Sequence, residues 1–302
     1  MPAAATVTAS ALLALTGGSL DQPSYLRALD PATLHPRGPS VRLPSWALGF
    51  AWARSGSTLA IVAKPSATAQ PVRFVDTNRM RVEGVVGVGD RDVCGLTFRG
   101  PTLVALTPDR PCYWSGGRFA ILRIDVQAGR IVRVTPVPRL HVAFPTNIAF
   151  GDNRAFVTRA GGGILAVNLT TGAVSAHTPR RTLAKGEGIV PTRWLGHHLL
   201  AAGRRVVDVR RWRARVLEPD ARGVARAGAN LVVYGPHGVA VHTRAGRLLF
   251  RALTDVPVTN VRVNGRYVYA AEDTTVDVVD LWTRRETRAV AEPALVWTML
   301  VP

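Results

Sequence analysis

The chain is poor in lysine, in acids and in cysteine, and each shortage excludes something. Of its 302 residues only Lys64 and Lys185 are lysine, so arginine supplies 36 of the 38 basic side chains, against 20 acidic ones, for a formal net charge of +18. A charge of that sign attracts nucleic acid, anionic lipid or an acidic wall polymer. Arginine-rich codon usage scattered over a solvated surface produces the same total. The arginines form no block or helical stripe. In their densest cluster, Arg204 to Arg215, strand alternation would send neighbouring side chains to opposite faces. A specific nucleic-acid interface is therefore not expected. The remaining partner classes are a protein, a glycan or an anionic polymer, met by a monomer.

Acids are so few that paired carboxylates hardly occur; Glu272 and Asp273 are adjacent and would splay apart on a strand. No Gly-x-Ser-x-Gly elbow is present. Gly161-Gly162-Gly163 sits between strands rather than ahead of a helix, so it is no phosphate cradle. The seven histidines are His35, His141, His177, His197, His198, His237 and His242. They offer no converging set of metal ligands. His197 and His198 would face opposite sides of a strand, and the hairpin holding His237 and His242 has no acid or cysteine near it in sequence. No catalytic residue, metal or cofactor is assigned on this basis.

No run of 18 apolar residues exists, so no membrane-spanning helix is expected. Ala3 to Leu15 is small and apolar, like the core of a signal peptide, with Ala9-Ser10-Ala11 fitting a cleavage site. No positive charge precedes it. A start lying upstream, with residues 1–11 the remnant of an export signal, reconciles the two facts.

What the chain does have is globular composition, 47% hydrophobic and 19% charged, with 28 glycines and 21 prolines scattered throughout. It also repeats. Three or four mostly apolar residues, then Asp or Asn, then a turn recur at Leu26–Asp30, Val72–Asp76, Ile121–Asp125, Leu165–Asn168, Val206–Asp208 and Val276–Asp280. A degenerate copy, Val239–His242, is followed by Thr243-Arg244-Ala245-Gly246-Arg247. The seven anchors are separated by 46, 49, 43, 40, 34 and 38 residues. A period near forty with four strands each means propeller blades. Asp or Asn at the anchor can bond the backbone two residues on, and Gly supplies positive φ, as in Asp125–Gly129 and Asn168–Gly172.

Six blades are complete in sequence. The N-terminus offers three strands, Ala11–Thr16, Tyr25–Asp30 and Ser40–Leu43, and the C-terminus one, within residues 294–302. Pairing that last strand with the first removes two open sheet edges. The fold expected is all-β: a single seven-bladed propeller over residues 1–302, four strands per blade, closed by its C-terminal strand.

Gly265-Arg266-Tyr267-Val268-Tyr269-Ala270, followed by Val276 to Leu281, resembles the blade signature of YVTN-type propellers. Tyr25 to Leu34 resembles the third-strand-and-turn signature of quinoprotein-dehydrogenase-like propellers. The resemblance implies a propeller, often bacterial and extracytoplasmic, without implying one activity. The regular Trp-and-Gly docking pattern of quinone-binding members is missing, so that cofactor is not carried over.

The two cysteines are Cys94 and Cys112. With a hairpin turn near Gly100-Pro101, Cys94 lies opposite Leu106 or Thr107, and Cys112 follows a few residues later, so a disulfide is sterically accessible. It would agree with an oxidising, extracytoplasmic location. The same loop, Pro108 to Gly117, shares a rim with the other turns between second and third strands and with the blade-to-blade connections. Arg110, Tyr113, Trp114, His141, Lys185, Glu187, His237, Glu272 and Asp273 are the candidate ligand-binding residues of that rim. A non-enzymatic binding or scaffold protein is the first reading. The alternative is a lactonase- or lyase-type enzyme using His141, Glu187, His237 and Glu272 at a channel mouth, and the third a polyanion binder driven by charge.

Overall fold

In the computed structural model the described residues are 12–17, 23–43, 46–64, 71–110, 112, 117–138, 140, 148–159, 163–178, 192–272, 275–289 and 299–300. Among them there is no helix, and the strands form seven four-stranded antiparallel sheets, the blades of a β-propeller. By contact density the chain divides into two compact units, Met1–His141 with Thr170–Gly172 and Trp297–Pro302, and Val142–Leu169 with Ala173–Val296.

The first unit holds blades one to three. Blade one contains β1 (Leu12–Gly17), β2 (Ser24–Leu29) and β3 (Pro36–Leu43). Blade two contains β4 (Trp46–Ser55), β5 (Thr58–Lys64), β6 (Val72–Asp76) and β7 (Arg81–Val86). Blade three contains β8 (Gly95–Arg99), β9 (Thr102–Pro108), β10 (Phe119–Asp125) and β11 (Arg130–Val137). The missing strand of blade one is the last of the chain, β28 (Met299–Leu300). It pairs antiparallel with β1, Leu13 opposite Leu300 and Ala14 opposite Met299, so head and tail of the polypeptide complete one sheet. Leu13, Leu15, Leu26, Leu43, Leu59, Ile61 and Val75 form one apolar layer, and Val62, Phe74, Leu96, Leu103 and Leu122 lie in a second.

The second unit holds four further blades. Blade four is β12 (Ile148–Gly151), β13 (Arg154–Thr158), β14 (Ile164–Asn168) and β15 (Val174–His177). Blade five is β16 (Thr192–Gly196), β17 (Leu199–Ala202), β18 (Arg205–Asp208) and β19 (Arg213–Val216). Blade six is β20 (Gly223–Ala227), β21 (Asn230–Gly235), β22 (Gly238–Thr243) and β23 (Leu248–Ala252). Blade seven is β24 (Asn260–Asn264), β25 (Tyr267–Glu272), β26 (Thr275–Asp280) and β27 (Arg285–Ala289). Second and third strands are almost wholly buried, as in β21 and β22, while fourth strands such as β19 are exposed. The aliphatic residues of these middle strands pack into layers around Phe156 and Leu200, Leu231 and Val233, and Val268 and Val279.

The anchors do what the repeat implies. The carboxylate of Asp30 accepts N–H bonds from Ala32 and Thr33, Asp76 from Asn78 and Arg79, Asp125 from Ala128, Asp208 from Arg210 and Arg211, and Asp280 from Trp282 and Thr283, at 2.8–3.4 Å. The seventh anchor is displaced by one from its sequence assignment. The residue ending β22 is Thr243, paired with Asn230 as Asp280 is paired with Tyr267, and its hydroxyl accepts the Arg247 N–H at 3.1 Å. His242 instead points into the blade. The expectation for His197-His198 also fails. Both occupy the turn between β16 and β17 with φ of 48° and 63°, a left-handed conformation that histidine adopts more readily than most residues. The similar turn Asp152-Asn153 has φ of 47° and 60°, and His198 Nδ1 is bonded to Asp152 Oδ2.

Cys94 and Cys112 are joined, with Cα atoms 5.6 Å apart. Cys94 lies one residue ahead of β8 and donates its N–H to Leu106 O at 3.0 Å; Gly95 pairs with Leu106, so Cys94 stands opposite Thr107. The Cys112 N–H is held by Asp92 Oδ2 at 2.7 Å. Residues 1–11 and 290–298 lie outside the described residues, and with them the export-signal remnant and most of the expected closing segment.

Two outcomes follow. Burial opposes ionisation of Asp280, but the Trp282 and Thr283 N–H groups and Arg266 outweigh it and hold the carboxyl below 3.8. A carboxyl depressed in the folded state stabilises above the unfolded value, and that contribution fades as pH falls through 3.8 and below. Asp280→Ala should cost about 1–2 kcal/mol at neutral pH in urea unfolding, whereas Asp280→Asn should keep most of the turn and flatten the loss of stability below pH 4. The non-reduced protein should weigh two protons less than the reduced one, and Cys112→Ser should lose about 3 kcal/mol, the chain-entropy value for a loop of this length.

Candidate functional site

The antiparallel order of each blade brings its second-to-third-strand turn to the same end of the sheet as the connections to neighbouring blades. Blade six shows what this assembles. The connection after β19 carries Glu218, Asp220 and Ala221, and the β21–β22 turn carries Gly235, Pro236, His237 and Gly238. Between them lies a hollow of about 320 Å³, counted to its open mouth and walled also by Val233, Tyr234, Ala240 and Arg251.

The turn is fixed by close approach. Gly238 has φ +85°, and a Cβ there would lie 1.9 Å from Leu253 O, so only glycine fits. The Arg222 N–H donates to Tyr234 O at 2.8 Å and the Val258 N–H to Gly235 O at 2.9 Å. Tyr234 is 4% exposed, and its ring lies over Gly223, where a Cβ would come within 2.4 Å of the phenol oxygen.

One carboxylate organises the floor. Glu218 Oε1 accepts Arg251 Nη2 at 2.9 Å and lies 3.0 Å from Nε2 of His242, which is 3% exposed. The Nδ1 of His242 lies 3.2 Å from Gly246 O. Both ring nitrogens thus face acceptors; a neutral imidazole satisfies one and the imidazolium both. Sequence reasoning found no acid for this hairpin because Glu218 stands 24 residues from His242, in the preceding blade's exit.

Behind Tyr234 the first strands carry a second polar group. Arg193 on β16 donates to Val261 O and Asn260 Oδ1, both at 2.6 Å, and its guanidinium lies 5.7 Å from the Tyr234 ring centre. Arg262 on β24 is pulled down to about 10 by burial and by the neighbouring charge of Arg193, with Tyr234 acting in the opposite sense. Arginine here cements strand edges that carbonyls would otherwise leave open.

Of the nine residues expected at the rim, His237 lies in this hollow and is exposed. Glu272 ends β25, half-buried, in the same unit but not in the lining. Arg110 is exposed on the first unit, beside Asp109, whose carboxylate accepts the Arg118 N–H at 2.7 Å and closes the base of the disulfide loop. Tyr113, Trp114, His141, Lys185, Glu187 and Asp273 lie outside the described residues. Glu218, Tyr234 and Arg251 were not singled out from sequence. Among the described residues no three His, Cys, Asp or Glu side chains are grouped as a metal site requires, and no helix is long and apolar enough to cross a membrane.

No family model matches the chain, and no curated protein does. Among solved structures it is similar in fold to the computationally designed Ika8 protein, with a TM-score of 0.58 at 15% identity over 95% of this chain and 89% of that one. A fainter likeness, TM-score 0.46 at 16% identity, links 88% of it to 76% of hydrazine synthase from Kuenenia stuttgartiensis. The first likeness concerns the fold alone.

Glu218→Ala would leave buried His242 and the Arg251 guanidinium without the carboxylate they share. A loss of about 1–3 kcal/mol is expected, together with broadened NMR signals confined to residues 217–222 and 235–242. An unchanged melting profile would show that the carboxylate does not organise this floor.

Proposed function

We propose that the protein is a non-enzymatic, extracytoplasmic binding propeller whose rim hollow on blade six takes part of a polar ligand of the glycan class. The observation that carries this reading is the state of the Glu218 carboxylate. It is engaged by His242 and Arg251 as part of the floor, so it serves to shape the hollow and not to move a proton. What remains turned to the opening is the exposed imidazole of His237 and the Arg251 guanidinium over aliphatic Val233 and Ala240, the mixture of apolar wall and few polar groups that small-ligand sites use. The hollow is open to solvent, so a ligand would lie partly across its mouth. The Cys94–Cys112 bridge supports an oxidising compartment. The resemblance to bacterial YVTN-type and quinoprotein-like propellers points the same way.

Saturation-transfer NMR against a panel of neutral and acidic oligosaccharides tests it. Binding by at least one member is expected, weakened about tenfold, or 1.4 kcal/mol, by His237→Ala. Absence of any binder, or binding indifferent to His237→Ala, would remove the reading. Steady turnover of a bound lactone or uronide would replace it with the enzymatic one.

A further inference from the structure

The opposite end of blades five and six carries a different surface, and it is strongly basic. Arg215 on β19 donates through Nη1 to Ala245 O at 2.9 Å and through Nη2 to Arg244 O. Arg244 reaches on to Gly228 O at 3.3 Å, and Arg226 Nε donates to that same carbonyl at 2.9 Å. Three guanidiniums are therefore strung across the β20–β21 and β22–β23 turns, held by neutral backbone oxygens. Carbonyls fix their positions without cancelling their charge. Among the described residues none of the three forms an ion pair with a carboxylate. Arg247 in the same turn and Arg213 on β19 are exposed beside them.

The turn itself explains why its arginines have no carboxylate of their own blade to pair with. In blades two and seven the anchor carboxylate also faces an arginine: Asp76 lies 3.7 Å from Arg79 and Asp280 3.2 Å from Arg266. In blade six the anchor is Thr243, which keeps the turn through its hydroxyl and brings no negative charge.

We propose that this face binds a linear phosphate polymer. Guanidinium forks match phosphate oxygens in geometry, and pinned arginines lose little freedom on binding. A row of like charges spread over two turns complements a chain of charges better than one small anion. Nucleic acid is disfavoured because single strands stack their bases on aromatic faces, and the two turns that carry the row, Gly228-Ala229 and Thr243 to Arg247, hold no aromatic residue. This proposal does not depend on the ligand proposed for the hollow.

The probe is long-chain inorganic polyphosphate, titrated from about 50 to about 200 mM salt, with heparin and oligo-dT as comparison arms. Wild type should prefer polyphosphate, with affinity falling steeply as salt rises. Replacing Arg215, Arg226 and Arg244 with Gln should flatten the log–log salt dependence by about 2–3, one unit per lost contact. Because that variant also removes three backbone tethers, Thr243→Asp is the cleaner test. It restores the anchor of the other blades, so the melting temperature should hold while affinity drops several-fold. No polyphosphate binding at low salt, an affinity untouched by Thr243→Asp in a folded protein, or equal or tighter binding of heparin or oligo-dT would each overturn the proposal.

Discussion

With 38 basic side chains and 20 acidic ones, this chain cannot balance its charges by ion pairing. Many of its acids hold backbone N–H groups, some of them while also facing an arginine. Asp30, Asp76, Asp125, Asp208 and Asp280 close the turns after third strands, Asp92 holds Cys112, Asp109 the base of the disulfide loop, and Glu286 the Leu253 N–H. Arginines take the complementary half of the backbone. Arg54, Arg193, Arg204, Arg215, Arg226 and Arg244 all donate to carbonyls at turns or strand edges. A fold made of many short strands has many such unmet groups. The shortage of acid and the excess of arginine are thereby both put to structural use, and the positive charge survives on the surface.

This division of labour is also why the architecture was legible. An Asp closing a turn is a local device: its donors lie two and three residues on, so it leaves the same signature in sequence wherever a blade recurs. Strand limits came within a few residues, and the separated head and tail could be joined because an open sheet edge is costly. The disulfide was legible for the same reason, since hairpin register fixes what stands opposite Cys94.

What escaped was non-local or chemically disguised. Glu218 meets His242 only because the exit of blade five passes over blade six, and no spacing encodes that. Thr243 does with a hydroxyl what its counterparts do with a carboxylate, and its neighbour His242 drew the assignment one residue early. His197-His198 read as strand because histidine is not a habitual turn residue, although it tolerates positive φ. Arg251 sits in an ordinary strand pattern, and only the fold turns it toward an opening.

These exceptions concentrate in blade six, and that concentration is informative. Where local rules are kept across a repeat and broken in one copy, the broken copy is where a site is expected. Blade six departs twice. Its anchor is a threonine, leaving Arg215, Arg226, Arg244 and Arg247 without the negative neighbour that Asp76 and Asp280 supply in blades two and seven. Beside that anchor, a buried histidine replaces an aliphatic residue and holds Glu218, which with Arg251 lines the hollow that carries His237. Neither change improves the packing of the blade: the first removes a charge-assisted turn bond, and the second places a polar ring in an apolar layer at a cost that its hydrogen bonding must offset. Giving up an aliphatic position that the other six blades keep, and a carboxylate that five of them keep, is better explained by a ligand than by drift of the repeat.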